Sequence, residues 1–363
     1  MIISARPYPS ARTLLTKGGA KLPELEFYSL GREALLSALL GLGLIKGDSI
    51  AVPAYMCSST IQPLEDYGFR LIFIDVDDQL DLPVDNLQTV AAKTKINALL
   101  LVHYFGFLQN SAEIMSVCRS LNIKLVEDFS HSFFSGFLAD DTPFDADAKI
   151  FSIRKSLPIV DGGALSWRNA ENGIKTDNPS CFALFHDSIY LLKRLVEKLV
   201  TMLNINIYSE RITRGRQSLS TGVEEGLKKH ACHPSWQLKK YLCNAAYLQT
   251  AQQRILKNFT KLSTKLEALG FDLLHKTAQP GEVPQALVAY DHQGGLADYL
   301  RAQGIGAWRW PAEEMPDAVA SQIDKYPNAN YYNKTLVLLP IHQSVSNRQI
   351  NYMIQVLSQW QQQ

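Results

Sequence analysis

The sequence predicts an α/β protein, with a mostly parallel central sheet flanked by helices and then a smaller α+β C-terminal domain. Two patterns carry this prediction. Between residues 31 and 167, short apolar runs alternate with segments of helical period, which is the strand–helix–strand rhythm of a parallel sheet. The apolar runs are continuous rather than alternating, as expected of strands covered on both faces. The length, 363 residues, exceeds what one small core needs and fits a large domain with a smaller one.

Taken in order, "GREALLSALLGLGL" (31–44) has helical spacing and ends in glycines. "SIAVPAY" (49–55) reads as a strand stopped by Pro53, and "SSTIQPLEDYG" (58–68) as a helix. Strands follow at 70–77 and 96–106, a helix at 111–122, and strands at 123–129, 148–153 and 163–167. Residues 183–203 predict an amphipathic helix whose charges, Asp187, Lys193, Arg194, Glu197 and Lys198, fall mainly away from the apolar stripe. That stripe is expected to pack on the body or on a partner subunit, in preference to a membrane surface. A polar stretch (204–230) separates it from a long helix over 235–268, and the tail ends in a strand "TLVLLPIH" and a helix "NRQINYMIQVLSQWQ". The boundary is expected near 240, giving a large domain 1–240, with the helical insertion near 183–203, and a small domain 241–363.

Composition narrows the function. With 36 basic and 35 acidic residues the chain has a formal charge of +1, so no long-range field draws in nucleic acid or an anionic membrane. Local groups must catch any anionic substrate. The five cysteines form no CxxC pair and read as reduced thiols. His230, Cys232 and His233 sit close together, but no second ligand cluster has zinc-like spacing, so no metal is expected. The N-terminus lacks the apolar core of a signal peptide, and no apolar run spans a bilayer, so a cytoplasmic protein is expected.

In parallel α/β sheets, ligands sit at the carboxyl ends of the strands. There the strand 123–129 ends in Glu127 and Asp128, followed by Ser130 and His131. The strand 148–153 ends after Ser152, followed by Arg154 and Lys155. The first helix begins at Gly31–Arg32. A carboxylate, a hydroxyl, an amine and a helix start converge on one rim, which is what pyridoxal 5′-phosphate (PLP) requires. Its pyridine nitrogen needs a carboxylate, and Asp128 fits. Its phosphate needs amides at a helix start and a hydroxyl, and Gly31, Arg32, Glu33 and Ser152 fit. Its aldehyde needs a lysine that can lose its proton, and Lys155 fits. Lys149 is the competing lysine, but it lies about four residues, or roughly 13 Å, from the rim.

The runs "GREALLSAL", "GDSIAVPAYMCSSTIQPLEDYGFRLIFIDVD", "TKINALLLVHYFG", "VEDFSHS" and "FSIRKSLPIVDGGAL" resemble, in order, the motifs of the DegT/StrS family of PLP-dependent aminotransferases. The resemblance is dense over 28–168, thin over 170–245 and moderate beyond. It implies the aspartate-aminotransferase fold (fold type I) and a homodimer with active sites at the subunit interface. It also implies amino transfer, usually from glutamate, to a keto group on a nucleotide-linked sugar. It gives Lys155 the Schiff base, Asp128 the pyridine nitrogen, His131 a contact near O3′ or the ring, and Ser152 a phosphate contact. Where the family stacks an aromatic residue on the ring, this chain has Cys57, with Tyr55 or His103 as substitutes. The family's Gly-x-Asn-x-Arg-Met stretch is not recognisable. For substrate anions the candidates are Arg211, Arg214 and Arg216 in "RITRGR", and Arg309 between Trp308 and Trp310 in "GAWRWP".

Three other readings compete. Another fold-type-I enzyme, a lyase or dehydratase, would share the cofactor. A non-catalytic regulator could keep the fold, although the Asp128–Lys155 pair argues against it. A dinucleotide-binding dehydrogenase has one candidate loop, "GLGLIKG" (41–47), which ends a helix and follows no strand, so it fails the context such a loop needs.

Overall fold

The computed structural model describes residues 1–16, 19–137, 146–168, 184–206, 208 and 232–362. Its large sheet has seven strands: β1 (Glu26–Tyr28), β2 (Ser49–Pro53), β3 (Arg70–Ile74), β4 (Ala98–Val102), β5 (Lys124–Asp128), β6 (Ala148–Ser152) and β7 (Gly163–Trp167), in the order β1-β7-β6-β5-β4-β2-β3. β3, β2, β4, β5 and β6 pair in parallel, while β7 pairs antiparallel with both β6 and β1. β2, β4 and β6 are buried along their whole length, the consequence of helices on both faces.

The helices α1 (Ala11–Leu15), α2 (Gly31–Gly41), α3 (Ser58–Tyr67), α4 (Val84–Lys93), α5 (Ser111–Ser120) and α6 (Phe133–Phe137) connect or flank these strands. The expected elements are present, with strands generally shorter than their apolar runs, because pairing stops where the chain turns out at the rim. Several elements differ from expectation. The sequence reading did not single out β1, α1, α4 or α6. The expected helix 235–268 is two helices, Trp236–Leu242 and Ala245–Ala268, and Asn244 caps the second through a bond from the Tyr247 amide (3.0 Å). Farther on, β8 (Ala286–Tyr290) and β9 (Leu336–Pro340) form a two-stranded antiparallel sheet, and the helix Asn347–Trp360 closes the chain.

Helix α7 (Leu184–Met202) forms where its period predicts, but its apolar stripe does not pack on the body. Ile189, Leu192, Leu195, Val196, Leu199 and Met202 are 48–73% exposed, whereas Arg194 is 7% exposed. The polar side wins because Arg194 has partners inside. It pairs with Glu197, donates to the carbonyls of Arg6 (3.1 Å) and Pro7 (2.8 Å), and lies over the Tyr8 ring. No helix among the described residues is long and apolar enough to cross a membrane.

Candidate active site

The strand ends expected to carry chemistry do meet. Side chains alternate along β5, so Glu127 and Asp128 face opposite sides of the sheet. Asp128 is buried and its Oδ1 accepts the Ser130 amide at 2.7 Å. β6 lies beside β5, and its last residue, Ser152, is buried and leads into the single 3₁₀ turn Ile153–Lys155. That turn brings Lys155 within electrostatic reach of Asp128, Cys57 and His131.

The start of α2 closes in on the same place. A Cβ on Gly31 would sit 3.1 Å from Ser152 Cβ and 3.4 Å from Ser130 Oγ, and a Cβ on Gly163 would collide with the Leu30 carbonyl oxygen at 2.2 Å. Two glycines therefore allow the helix start to approach β6 and β7. Leu30 donates its amide to the Glu33 carboxylate (3.1 Å), and Glu33 donates its own amide to the Leu30 carbonyl (3.1 Å). The Glu33 amide is thus used within the turn. This corrects its assignment as a phosphate donor and leaves Gly31 and Arg32 at the helix mouth.

His131 is buried, and its Nδ1 has no hydrogen-bond partner. Its ring stacks on Phe105 (centroids 5.3 Å apart) and meets Trp310 edge-on (4.6 Å). Phe105 has φ 54°, a conformation that is rare without glycine and needs support. The support comes from neighbours: Gln285 donates to the Phe105 carbonyl (2.7 Å), and Ser132 accepts from Gly106 (3.1 Å) and donates to the His103 carbonyl (2.7 Å). Burial, and secondarily Lys155, pushes the His131 imidazole well below its ordinary pKa, so it is neutral near pH 7. Burial also lowers Lys155; Cys57 and Asp128 oppose this, while Arg154 and Arg6 add to it.

The three candidates for stacking on a cofactor ring separate. Cys57 caps the start of α3 beside Lys155, with Sγ 3.2 Å from Thr60 Oγ1. Tyr55 is fully buried, donates its hydroxyl to the Trp310 carbonyl and packs edge-on against Trp310 and Tyr332. His103 lies on the other face of the sheet, 3.5 Å from Glu127 and with its ring tilted against Phe129, centroids 4.3 Å apart. The reading of His103 as a ring-stacking residue is therefore corrected, because the Glu127 carboxylate draws it to the wrong side. Lys149 is on that face too, 3.9 Å from Glu127.

Arg309 is also reassigned. Its guanidinium donates to the carbonyls of Asn333 (2.7 Å) and Lys334, where the helix Pro327–Thr335 ends, so it serves as a C-terminal cap. Trp308 forms a backbone bridge with Leu338. Arg211, Arg214, Arg216 and His230 lie outside the described residues. Cys57, Cys118 and Cys243 are free thiols. Cys232, whose amide is fixed to the Phe27 carbonyl at 2.7 Å, is disulfide-bonded, which corrects the expectation of reduced thiols throughout.

The sequence reading missed Phe105, whose backbone conformation leaves no sequence signal, and the roles of Arg6 and Arg154. Arg154 stands next to Lys155, and burial pushes its pKa down to about 10, with Arg6 and Arg32 adding to the effect.

The comparisons with known proteins agree with this geometry. Residues 28–176 match the model of the DegT/DnrJ/EryC1/StrS aminotransferase family. A GDP-perosamine synthase from Escherichia coli O157:H7 is 29% identical over 139 residues, covering 37% of this chain and 38% of that protein. A dTDP-4-amino-4,6-dideoxy-D-glucose transaminase from Shigella dysenteriae is 23% identical over 344 residues, covering 92% and 84%. Among solved structures, a putative sugar aminotransferase from Streptococcus pneumoniae in its PLP form superposes with a TM-score of 0.70 at 14% identity, covering 100% and 99%. That superposition shows the shared fold, the PLP-dependent transferase fold type I read from the sequence.

Proposed function

We propose that this chain is a PLP-dependent aminotransferase that moves an amino group, from glutamate, to the keto group of a nucleotide-linked sugar. The observation that carries this reading is the convergence of Lys155, Asp128 and the unpartnered Nδ1 of His131 at one rim beside the start of α2. An orphaned buried imidazole nitrogen and a glycine-lined helix mouth are features that a ring with a hydroxyl and a phosphate would satisfy. Asp128, His131, Lys155, Ser152, Gly31 and Arg32 would hold PLP. The relatives' names support the substrate class.

When bound, PLP supplies an electron sink that makes the carbon–hydrogen bond of an amino donor acidic. The chain's own residues do the rest. Asp128, fixed by the Ser130 amide, holds a proton on the pyridine nitrogen. Lys155, its amine favoured in the neutral form by burial, takes and returns the proton at the reacting carbon. His131 offers Nδ1 to the ring substituent, and Phe105 and Trp310 hold its plane and exclude water. We further infer a cytoplasmic homodimer, a large domain 1–240 and a small domain 241–363. The outward apolar side of α7 supports a surface that assembly covers.

The direct test is a single turnover. Holoenzyme given glutamate alone should release 2-oxoglutarate close to stoichiometrically and then aminate a nucleotide-linked keto-sugar. If glutamate and other amino acids release no keto acid, the aminotransferase reading is wrong; if the sugar is instead dehydrated, the lyase alternative holds.

A further inference from the structure

The turn after β4 is held in an unfavourable shape. Phe105 has φ 54°, and Gly106, which follows it, has φ 100°. A left-handed backbone at a bulky residue persists only where its surroundings fix it. The fixing contacts come from two places. One is the stretch 131–135, which runs from the histidine of the site into α6. The other is the segment 283–285, which leads into β8.

Ser135 joins the two. It is fully buried, and its hydroxyl donates to the Gly106 carbonyl (2.7 Å) while accepting the Val283 amide (2.9 Å). A Cβ on Gly106 would sit 2.4 Å from the Val283 carbonyl oxygen and 2.7 Å from the Gln285 nitrogen, so the turn and the segment are in direct backbone contact. Glu282 pins the segment from its other end, accepting the amides of Leu108 (3.0 Å) and Gln279 (2.7 Å). Removing the Ser135 hydroxyl would take a partner from two backbone groups at once, one on each side of this contact.

What the turn presents is the Phe105 ring. That ring is fully buried and nearly parallel to the His131 imidazole, with 12° between their planes. Trp310 meets both rings edge-on, with centroids 4.6 Å from His131 and 5.9 Å from Phe105. A backbone that relaxes out of the left-handed region carries its side chain with it, so the Phe105 plane follows the turn. An imidazole nitrogen bonds in the plane of its ring, so the direction in which His131 offers Nδ1 follows Phe105.

We propose that Ser135 is a positioning residue for amino transfer: it sets the plane of the His131 ring through Phe105, and ties that plane to the segment 283–285. It acts through these two rings and takes no part in proton transfer. This rests on the function proposed above, in which His131 bonds the ring substituent of the cofactor.

The test uses the full-length holoenzyme as wild type, Ser135→Ala, His131→Phe and the double variant, with Glu127→Gln as the control for stability lost on the other face of the sheet. Thermal melts check folding, and Ser135→Cys, with a weaker donor and acceptor, serves if Ser135→Ala does not fold. The glutamate half-reaction and the visible spectrum of the bound cofactor are read at one pH. Ser135→Ala should lower the maximal rate by about tenfold at most, the scale of one misdirected hydrogen bond, and leave half-saturating glutamate within about twofold. Its visible absorbance should shift in the same direction as that of His131→Phe, while Glu127→Gln keeps the wild-type spectrum. In the His131→Phe background the same change should slow the reaction by less than about twofold, because the ring whose plane it sets is gone. If Ser135→Ala slows wild type and His131→Phe by the same factor, or loses stability with no change in rate or spectrum, Ser135 is only structural and the proposal is overturned. Crystal structures of cofactor-free wild type and Ser135→Ala read the geometry without the chemistry. The angle between the Phe105 and His131 planes should open in the variant, and an unchanged angle overturns the proposal. A wild type that takes up no PLP would instead sink the functional reading, while these two structures would still decide whether Ser135 sets the ring plane.

Discussion

Glu127 and Asp128 are neighbours in the chain, both buried, and they belong to opposite worlds. On one face of β5, Glu127 meets His103 at 3.5 Å and Lys149 at 3.9 Å, with Phe129 under the lysine at 5.4 Å. Burial works to raise the Glu127 carboxyl, but His103 and Lys149 outweigh it and hold the group below its ordinary pKa. There the carboxylate has a lysine and an imidazole beside it, although His103 Nε2, at 3.5 Å, makes no close hydrogen bond. On the other face, Asp128 looks toward Lys155, His131 has a nitrogen without a partner, and Arg32 and Arg154 have no counter-ion among the described residues. A buried polar cluster that satisfies itself is structural; one that does not is waiting for a ligand.

Several substitutions would break or sharpen that contrast. The largest effect is expected from Lys155→Ala. It should abolish borohydride-stable cofactor attachment and lower amino transfer by about a thousandfold or more, a loss of roughly 4 kcal/mol of barrier reduction. Coupled turnover assays measure this, and an active variant would move the site elsewhere. Asp128→Asn should still bind cofactor but slow proton removal from the donor, by about a hundredfold or more, read as a deuterium-sensitive rate. His131→Phe removes one hydrogen bond but keeps the stacking, so about a tenfold loss is expected; steady-state kinetics decide it.

Glu127→Gln tests the opposite face. Leaving Lys149 without its carboxylate should lower stability on the order of 3 kcal/mol, while turnover per folded molecule changes little. Thermal melts against activity separate the two effects. The sign of the pH effect follows from the depressed carboxyl. Its contribution is full above the unfolded value of about 4.3 and is lost as pH falls through the lower folded value. The acid limb of the wild-type stability curve should therefore flatten in Glu127→Gln. On the Lys155 face, burial lowers the amine, so the neutral form exists at lower pH than for a free lysine. The rate at which apo-protein takes up PLP should level off below about 10.4.

The sequence made much of this legible. Period and continuity of the apolar runs placed six of the seven strands, missing the three-residue β1, and residue order placed Asp128, Ser152 and Lys155 at one rim, because strand ends are set by local chain direction. What it could not show were choices made by three-dimensional partners. Nothing local distinguishes His103 from a cofactor neighbour until Glu127 is seen beside it. Arg309 reads as a substrate clamp until two helix-end carbonyls occupy it. α7 has a clear helical period, yet which side turns inward depended on Arg194 finding carbonyls 187 and 188 residues away.

The contrast between the two faces comes down to two lysines, Lys149 within β6 and Lys155 in the turn that follows it. Borohydride reduction of the holoenzyme, followed by peptide mapping, reads them directly. The pyridoxyl adduct should lie on Lys155 and be absent from Lys149. An adduct on Lys149, or on a lysine away from the Asp128 face, would contradict the assignment of function to that face.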